Sequence, residues 1–323
     1  MPRKLIALFG LVALSACSGS APAAEVTDGT AVLDVATVES QFAGAWTLVK
    51  IERLDADGEL LAPPIEDRLG YIIYDPAGYM GVTIMQPERQ PYSNPRTSEE
   101  VLEAYSTYTS YFGTFTVNEA EGFLTHHLEG SLNTRGAGSD YKRFYTFSGN
   151  RLTLQPPAAA NGNRSQLIWE KLPDLPESEL TETHKRLFGF YRIESVSRQV
   201  LGGESLPINQ YETAFIIYAP SGHMAVHLMR PGREPSAGTL TSEDARAAVQ
   251  TYGSYFGPFS VYEEEGYLVH HRIGNLSPGG TGTDARRSYE LTDTHLTLRP
   301  PIGTDREGRR VQSSLRWARI ISD

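Results

Sequence analysis

Adjacent histidines occur twice in the chain, at His126-His127 and at His270-His271, each time in a run rich in β-branched and aromatic residues. A buried neutral imidazole offers one donor and one acceptor, which suits a ligand carbonyl or hydroxyl and equally a backbone group or a tyrosine inside a core. On a strand the two rings of each pair point to opposite faces. His126 shares its face with Leu124 and Leu128, and His270 with Leu268, so these two are the expected inward members. That divergence also stops one metal ion from using both rings, and with no HExxH motif or acidic cluster no metal or cofactor is expected. Tyr108 and Tyr111, repeated as Tyr252 and Tyr255, sit three apart near the end of an expected helix and could present one face to an interior, as packing, lid or ligand clamp. Arg143 and Arg287 follow Asp140 and Asp284, either as structural ion pairs or as anchors for an acidic ligand head group. Tyr74 and Met80, their counterparts Tyr218 and Met224, and His227 complete the candidate ligand-binding set. No GxSxG elbow, P-loop or GxGxxG turn is present, which disfavours catalysis. A His and a Tyr in a closed apolar pocket still suit general acid–base work in an isomerisation or cyclisation.

These residues come in pairs because the chain is written twice. Tyr71-Ile72-Ile73-Tyr74 with Pro76, Gly78 and Met80 recurs as Phe215-Ile216-Ile217-Tyr218 with Pro220, Gly222 and Met224, a displacement of 144 positions. The same offset carries Ser110-Tyr111-Phe112-Gly113 onto Ser254-Tyr255-Phe256-Gly257 and Leu152-Thr153-Leu154 onto Leu296-Thr297-Leu298. The register slips only where Gly44 meets Gly189 and where Trp169 meets Trp317, in expected loops that tolerate insertion. Such a period is far longer than a solenoid repeat and indicates a duplicated domain.

Within each copy, short segments separated by Gly, Asn, Asp or Pro predict strands near 45–53, 70–75, 79–86, 111–118, 122–129, 141–148, 150–155 and 166–172, with equivalents in the second copy. Thr97-Ser98-Glu99-Glu100 opens a capping box and predicts one short helix towards Tyr108, echoed from Thr241 to Tyr252. About eight antiparallel strands with one helix predict a closed barrel, which leaves no exposed sheet edge. In the third strand Met80, Val82 and Ile84 match Met224, Val226 and Leu228, the expected interior face; Tyr79 and Thr83 match His223 and His227 on the other.

The formal charge is −10 and no basic stripe marks any expected element, so nucleic acid is not an expected partner. Cys17 is the one cysteine, which rules out an intrachain disulfide. It follows a basic start (Arg3, Lys4), an apolar stretch from Leu5 to Ala13 too short to span a bilayer, and Leu14-Ser15-Ala16. Leu-Ser-Ala-Cys resembles the lipobox of bacterial lipoproteins. That resemblance implies a signal peptide over 1–17, acylation of Cys17 and a formal charge of about −12 after cleavage. Ser18 after the cysteine implies the outer membrane, facing the periplasm. Residues 18–36 are small and polar and predict a flexible tether. The expected domains are 37–173 and 181–323, joined by a proline-flanked linker at 174–180.

Gly44-Ala45-Trp46 resembles the GxW signature that opens lipocalins, in which a basic side chain from a late strand packs across the Trp; Lys171 or Arg143 would fill that role here. The second copy departs from it, with Gly189-Phe190-Tyr191. Gly78-x-Met80, the Tyr-Phe-Gly ending of an aromatic helix, the paired-His strand, Gly138-x-Asp140 with Arg143, and Trp169-x-Lys171 together resemble the bacterial and fungal lipocalin-like domain family, over most of residues 40–321. The resemblance implies an all-β fold of two tandem lipocalin-like (calycin-type) barrels. An eight-stranded barrel of that class holds one small ligand. The expectation is therefore a membrane-anchored envelope protein that binds small hydrophobic or amphipathic molecules, with a lipocalin-like isomerase or cyclase, or an envelope interaction module without ligand, as alternatives. His223, His227 and Arg272 of the second copy further predict pockets of different polarity.

Overall fold

A computed structural model describes residues 37–321; Cys17, the expected signal segment and the expected tether lie outside the described residues. The first half forms eight strands, β1 (Gly44–Leu54), β2 (Leu69–Tyr74), β3 (Tyr79–Met85), β4 (Tyr108–Asn118), β5 (Phe123–Ser131), β6 (Asp140–Ser148), β7 (Arg151–Gln155) and β8 (Arg164–Lys171). Each pairs antiparallel with the next, and β1 pairs with β8, so the ladder closes without a free edge. The second half repeats this with β9 (Gly189–Val200), β10 (Thr213–Tyr218), β11 (His223–Met229), β12 (Tyr252–Tyr262), β13 (Tyr267–Arg272), β14 (Gly274–Asn275), β15 (Thr283–Leu291), β16 (His295–Arg299), β17 (Gly303–Thr304) and β18 (Arg310–Arg319). The pairing of β9 with β18 and of β11 with β12 closes it; β14 and β17 are two-residue additions.

The expected third-strand face holds. Met80 and Val82 point into the first barrel with Ile72, Leu124 and Trp169, and Met224 and Val226 into the second with Ile216, Leu268 and Trp317. The expected helices form at α2 (Ser98–Ser106) and α4 (Ser242–Thr251), the Thr97 and Thr241 hydroxyls accepting from the Glu100 and Asp244 amides. The expectation of one helix per barrel needs correcting, because α1 (Val38–Phe42) and α3 (Glu182–Leu187) each precede a first strand. They are stoppers. Phe42 stands edge-on to Tyr74, Phe115, Tyr145 and Phe147, and Leu187 fills the same end of the second barrel.

Both barrels belong to one compact unit. Outward residues of β2, β3 and β4 meet those of β9 to β12 in a shared apolar seam containing Ile73, Phe112, Phe190, Phe215, Ile217 and Phe256. Burying this seam is what holds the halves together, since apolar area contributes roughly 25 cal/mol per Å². Its polar centre is nearly two-fold: Ser110 Oγ donates to Ser254 Oγ at 3.0 Å, the Tyr108 hydroxyl donates to Ser254 at 3.3 Å, and the Tyr252 hydroxyl lies 3.1 Å from Ser110. Reciprocal arginines close it. Arg89 donates to the carbonyls of Asn275 and Leu276 (2.6 and 2.8 Å), and Arg233 to those of Ser131 and Leu132 (2.9 and 2.7 Å).

Candidate functional site

The stopper helix closes one end of each barrel, and a cavity opens towards the other. In the first barrel it measures about 300 Å³, with walls that include Ile51, Ile72, Val82, Leu154, Leu167 and Trp169. In the second it measures about 270 Å³, with walls that include Val196, Ile216, Val226, Leu298, Leu315 and Trp317. Tyr111 and Arg143 line the first, Tyr255 and Arg287 the second, at positions that the duplication makes equivalent.

His126 does face inward, from β5, and it is fully enclosed. Its Nε2 lies 2.8 Å from the Tyr74 hydroxyl and its Nδ1 3.3 Å from that of Tyr111. His270 repeats this, with Nε2 2.8 Å from Tyr218 and Nδ1 2.8 Å from Tyr255. Both ring nitrogens are therefore spoken for, and the imidazole positions phenols rather than meeting a ligand itself. Burial, reinforced by Arg143 or Arg287, holds each imidazole well below its usual range. Burial lifts Tyr74 and Tyr218 well above the ordinary phenol value, and raises Tyr111 and Tyr255 against the opposing charge of Arg143 and Arg287. Neutral phenols and imidazoles that resist ionisation suit hydrogen bonding better than proton transfer.

The close fit depends on a backbone irregularity. Between Phe112 and Gly113 the β4–β5 register shifts, with Glu129 as the extra residue on β5. A Cβ on Gly113 would overlap the carbonyl oxygen of His127, and one on Gly257 that of His271. Only glycine lets the strand carrying Tyr111 approach the strand carrying His126 here.

Three sequence candidates lie elsewhere. Tyr108 and Tyr252 are on strands, not on helix ends, so residues three apart face opposite ways: Tyr111 and Tyr255 point inward, Tyr108 and Tyr252 into the seam. For the same reason Tyr-Phe-Gly belongs to β4 and not to α2. His227 also sits in the seam, its Nδ1 3.0 Å from Ser110 Oγ and 3.3 Å from the Tyr252 hydroxyl, its Nε2 without a partner among the described residues. Met80 and Met224 are fully buried in the barrel cores and are not among the residues lining the cavities.

The expected Asp–Arg pairs do not form. Asp140 and Asp284 lie on the outer face, 2.8 Å from Nδ1 of His127 and His271, whose Nε2 atoms contact Thr116 and Ser260 at 2.9 Å. A hydroxyl, an imidazole and a carboxylate in that order resemble a hydrolytic relay. Here, however, they stand on exposed sheet, on the opposite side of the wall from the cavity, among backbone groups committed to the β ladder. Arg143 and Arg287 form no ion pair among the described residues.

The two cavities do differ in polarity, but not through His223, His227 and Arg272. The first cavity adds Arg68, Gln86, Ser106, Thr107 and Thr109, whereas the second adds mainly Tyr211 and Ser313. His223 and His227 are outward residues, and Arg272 stacks 5.9 Å above the Tyr255 ring. Trp169 and Trp317, which in the sequence aligned the copies and marked the family motif but were not among the site candidates, are cavity walls; their recurrence was the available signal. Lys171 is the basic residue across Trp46, 5.3 Å from its ring, and Arg319 takes the same place over Tyr191 at 4.7 Å.

No curated protein sequence matches the chain significantly. Among solved structures, a lipocalin-like protein from Bacteroides uniformis is similar at 13% identity and a TM-score of 0.25, over 41% of this chain and 98% of that one. An uncharacterized protein from Saccharomyces cerevisiae is similar at 9% identity and a TM-score of 0.42, over 86% of this chain and 99% of that one. The sequence profile of the lipocalin-like domain matches residues 43–172 and again 188–320, so the chain belongs to the lipocalin-like domain family and carries two copies of its domain.

Proposed function

We propose that this protein is a lipid-tethered binder of small amphipathic molecules in the cell envelope, one molecule per barrel. The observation that carries the reading is the pair of equivalent cavities, about 300 and 270 Å³, each with apolar walls and a Tyr–Arg pair at the same position. Apolar surface supplies affinity and a few placed polar groups supply orientation, the usual division of labour in a small-molecule site. Closed eight-stranded barrels are of the size that holds one such ligand. The Leu-Ser-Ala-Cys17 sequence supports the tether, and Ser18 an outer-membrane location facing the periplasm.

Native mass spectrometry of protein isolated from its own envelope tests the binding. One or two small-molecule mass increments per chain are expected, and repeated ligand-free spectra would count against the reading. For the tether, Cys17→Ala is expected to move the protein from the membrane to the soluble fraction; a variant that stays with the membrane removes that part.

A further inference from the structure

The polar end of each cavity has a direction. A neutral imidazole carries one proton, so of the two phenols flanking His126 one donates to the ring and the other accepts from it. Tyr74 is 1% exposed, and His126 is the one side-chain partner of its hydroxyl among the described residues. If that hydroxyl accepted from His126, its own proton would be stranded in the core, a costly arrangement. Tyr74 therefore donates to Nε2, Nδ1–H donates to Tyr111, and the Tyr111 hydroxyl proton remains available to the cavity that its ring lines. The same reasoning orders Tyr218, His270 and Tyr255.

Beside each of these phenols stands an arginine that has no carboxylate of its own among the described residues, since Asp140 and Asp284 are engaged by His127 and His271 on the outer face. The chain has 39 acidic against 29 basic residues, yet among the described residues no Asp or Glu lines either cavity. A guanidinium next to a hydroxyl donor, in apolar surroundings, matches the two oxygens of a carboxylate.

We infer that each cavity takes an apolar carboxylic acid as its carboxylate, with the head group on Tyr111 and Arg143 in the first barrel and on Tyr255 and Arg287 in the second. The chain of the acid lies against Val82 and Trp169, or against Val226 and Trp317. At about 30 Å³ per water-sized group, such a cavity accommodates roughly ten chain atoms. This inference rests on the binding function proposed above and specifies its ligand.

Decanoate, decan-1-ol and decylammonium share a chain and differ in head group, and calorimetric titration of the purified protein at pH 8 compares them. Decanoate is expected to bind at least about tenfold more tightly than decanol, the equivalent of ~1.4 kcal/mol, with decylammonium weakest. Arg143→Met combined with Arg287→Met is expected to bring decanoate down to the level of decanol. Tyr111→Phe combined with Tyr255→Phe keeps the ring packing and is expected to erode the same preference, so it decides the matter if the arginine variant does not fold. Equal binding of decanol and decanoate, or a preference for the ammonium, overturns the carboxylate inference and leaves the cavities as binding sites. Failure of all three to bind overturns both.

Discussion

Among the described residues three imidazoles, His126, His227 and His270, are completely enclosed, and each hydrogen-bonds to hydroxyls. Burial pushes His126 and His270 well below their ordinary range and His227 down to about 3. As pH falls through about 6.5, the unfolded chain takes up protons that the folded chain refuses, so stability is fully present above that value and declines below it. For His227 the decline runs towards pH 3 and amounts to about 2 kcal/mol by pH 5. Urea unfolding at pH 7.5 and pH 5 measures it. His227→Gln keeps a donor and an acceptor without taking up a proton, and is expected to flatten the profile by that amount; an unaltered profile would contradict the enclosure of the ring. At this scale the sequence was partly legible. The inward turn of His126 followed from its leucine neighbours, but its bonding to Tyr74 and Tyr111 depends on cross-barrel register, to which local periodicity is blind. The spacing of three from Asp140 to Arg143, on a strand, already places them on opposite faces.

Strands of the two barrels approach each other most closely where side chains are absent or small. A Cβ on Gly81 of β3 would come within 2.7 Å of His227 Nε2 and 2.8 Å of Ile217 Cδ1. The duplication puts Ala225 opposite Gly81 in the alignment and Thr83 opposite His227. A large ring beside a glycine in one place, and an alanine with a threonine in the other, keep the seam filled while breaking its two-fold symmetry. Gly81→Ala is therefore expected to destabilise by about 1–3 kcal/mol, and His227→Thr to recover part of that loss when combined with it. A denaturation cycle of the two single variants and the double variant should give a coupling of about 0.5 kcal/mol or more; strict additivity would mean that the two strands do not meet there. Elements with a strong local signature were readable in advance: α2 and α4 through their capping boxes, the strands through alternation and glycine breaks. The stoppers α1 and α3 were not, because five and six residues are too few for a helical period, and His184 takes the place that a Glu or Gln would mark in a capping box.

Duplication and barrel closure were visible in the sequence, whereas the joining of the barrels was not, because Tyr79, Thr83, His223 and His227 read as a wet outer face. A better signal lay one strand earlier. Tyr71-Ile72-Ile73-Tyr74 and Phe215-Ile216-Ile217-Tyr218 are apolar at every position, as strands covered on both faces tend to be. The surface that covers them is nearly self-complementary. Phe112 and Phe256, Tyr108 and Tyr252, Ser110 and Ser254, and the crossing Arg89 and Arg233 occupy equivalent places on its two sides. An isologous surface of this kind is what a symmetric dimer of one barrel would use, with the covalent link replacing a second chain. Residues 181–323 produced alone would uncover Phe190, Phe215, Ile217 and Phe256, and the pairing that best buries them again is with a second copy of the same barrel. The separated second barrel is therefore expected to sediment as a homodimer at micromolar concentration. Arg233→Ala, which removes the arm that would reach the other copy's backbone, is expected to weaken that dimer by at least about tenfold in Kd. A separated barrel that stays folded and strictly monomeric would show that the seam depends on features particular to each half, such as Gly81 against His227, and not on the symmetry inherited from duplication.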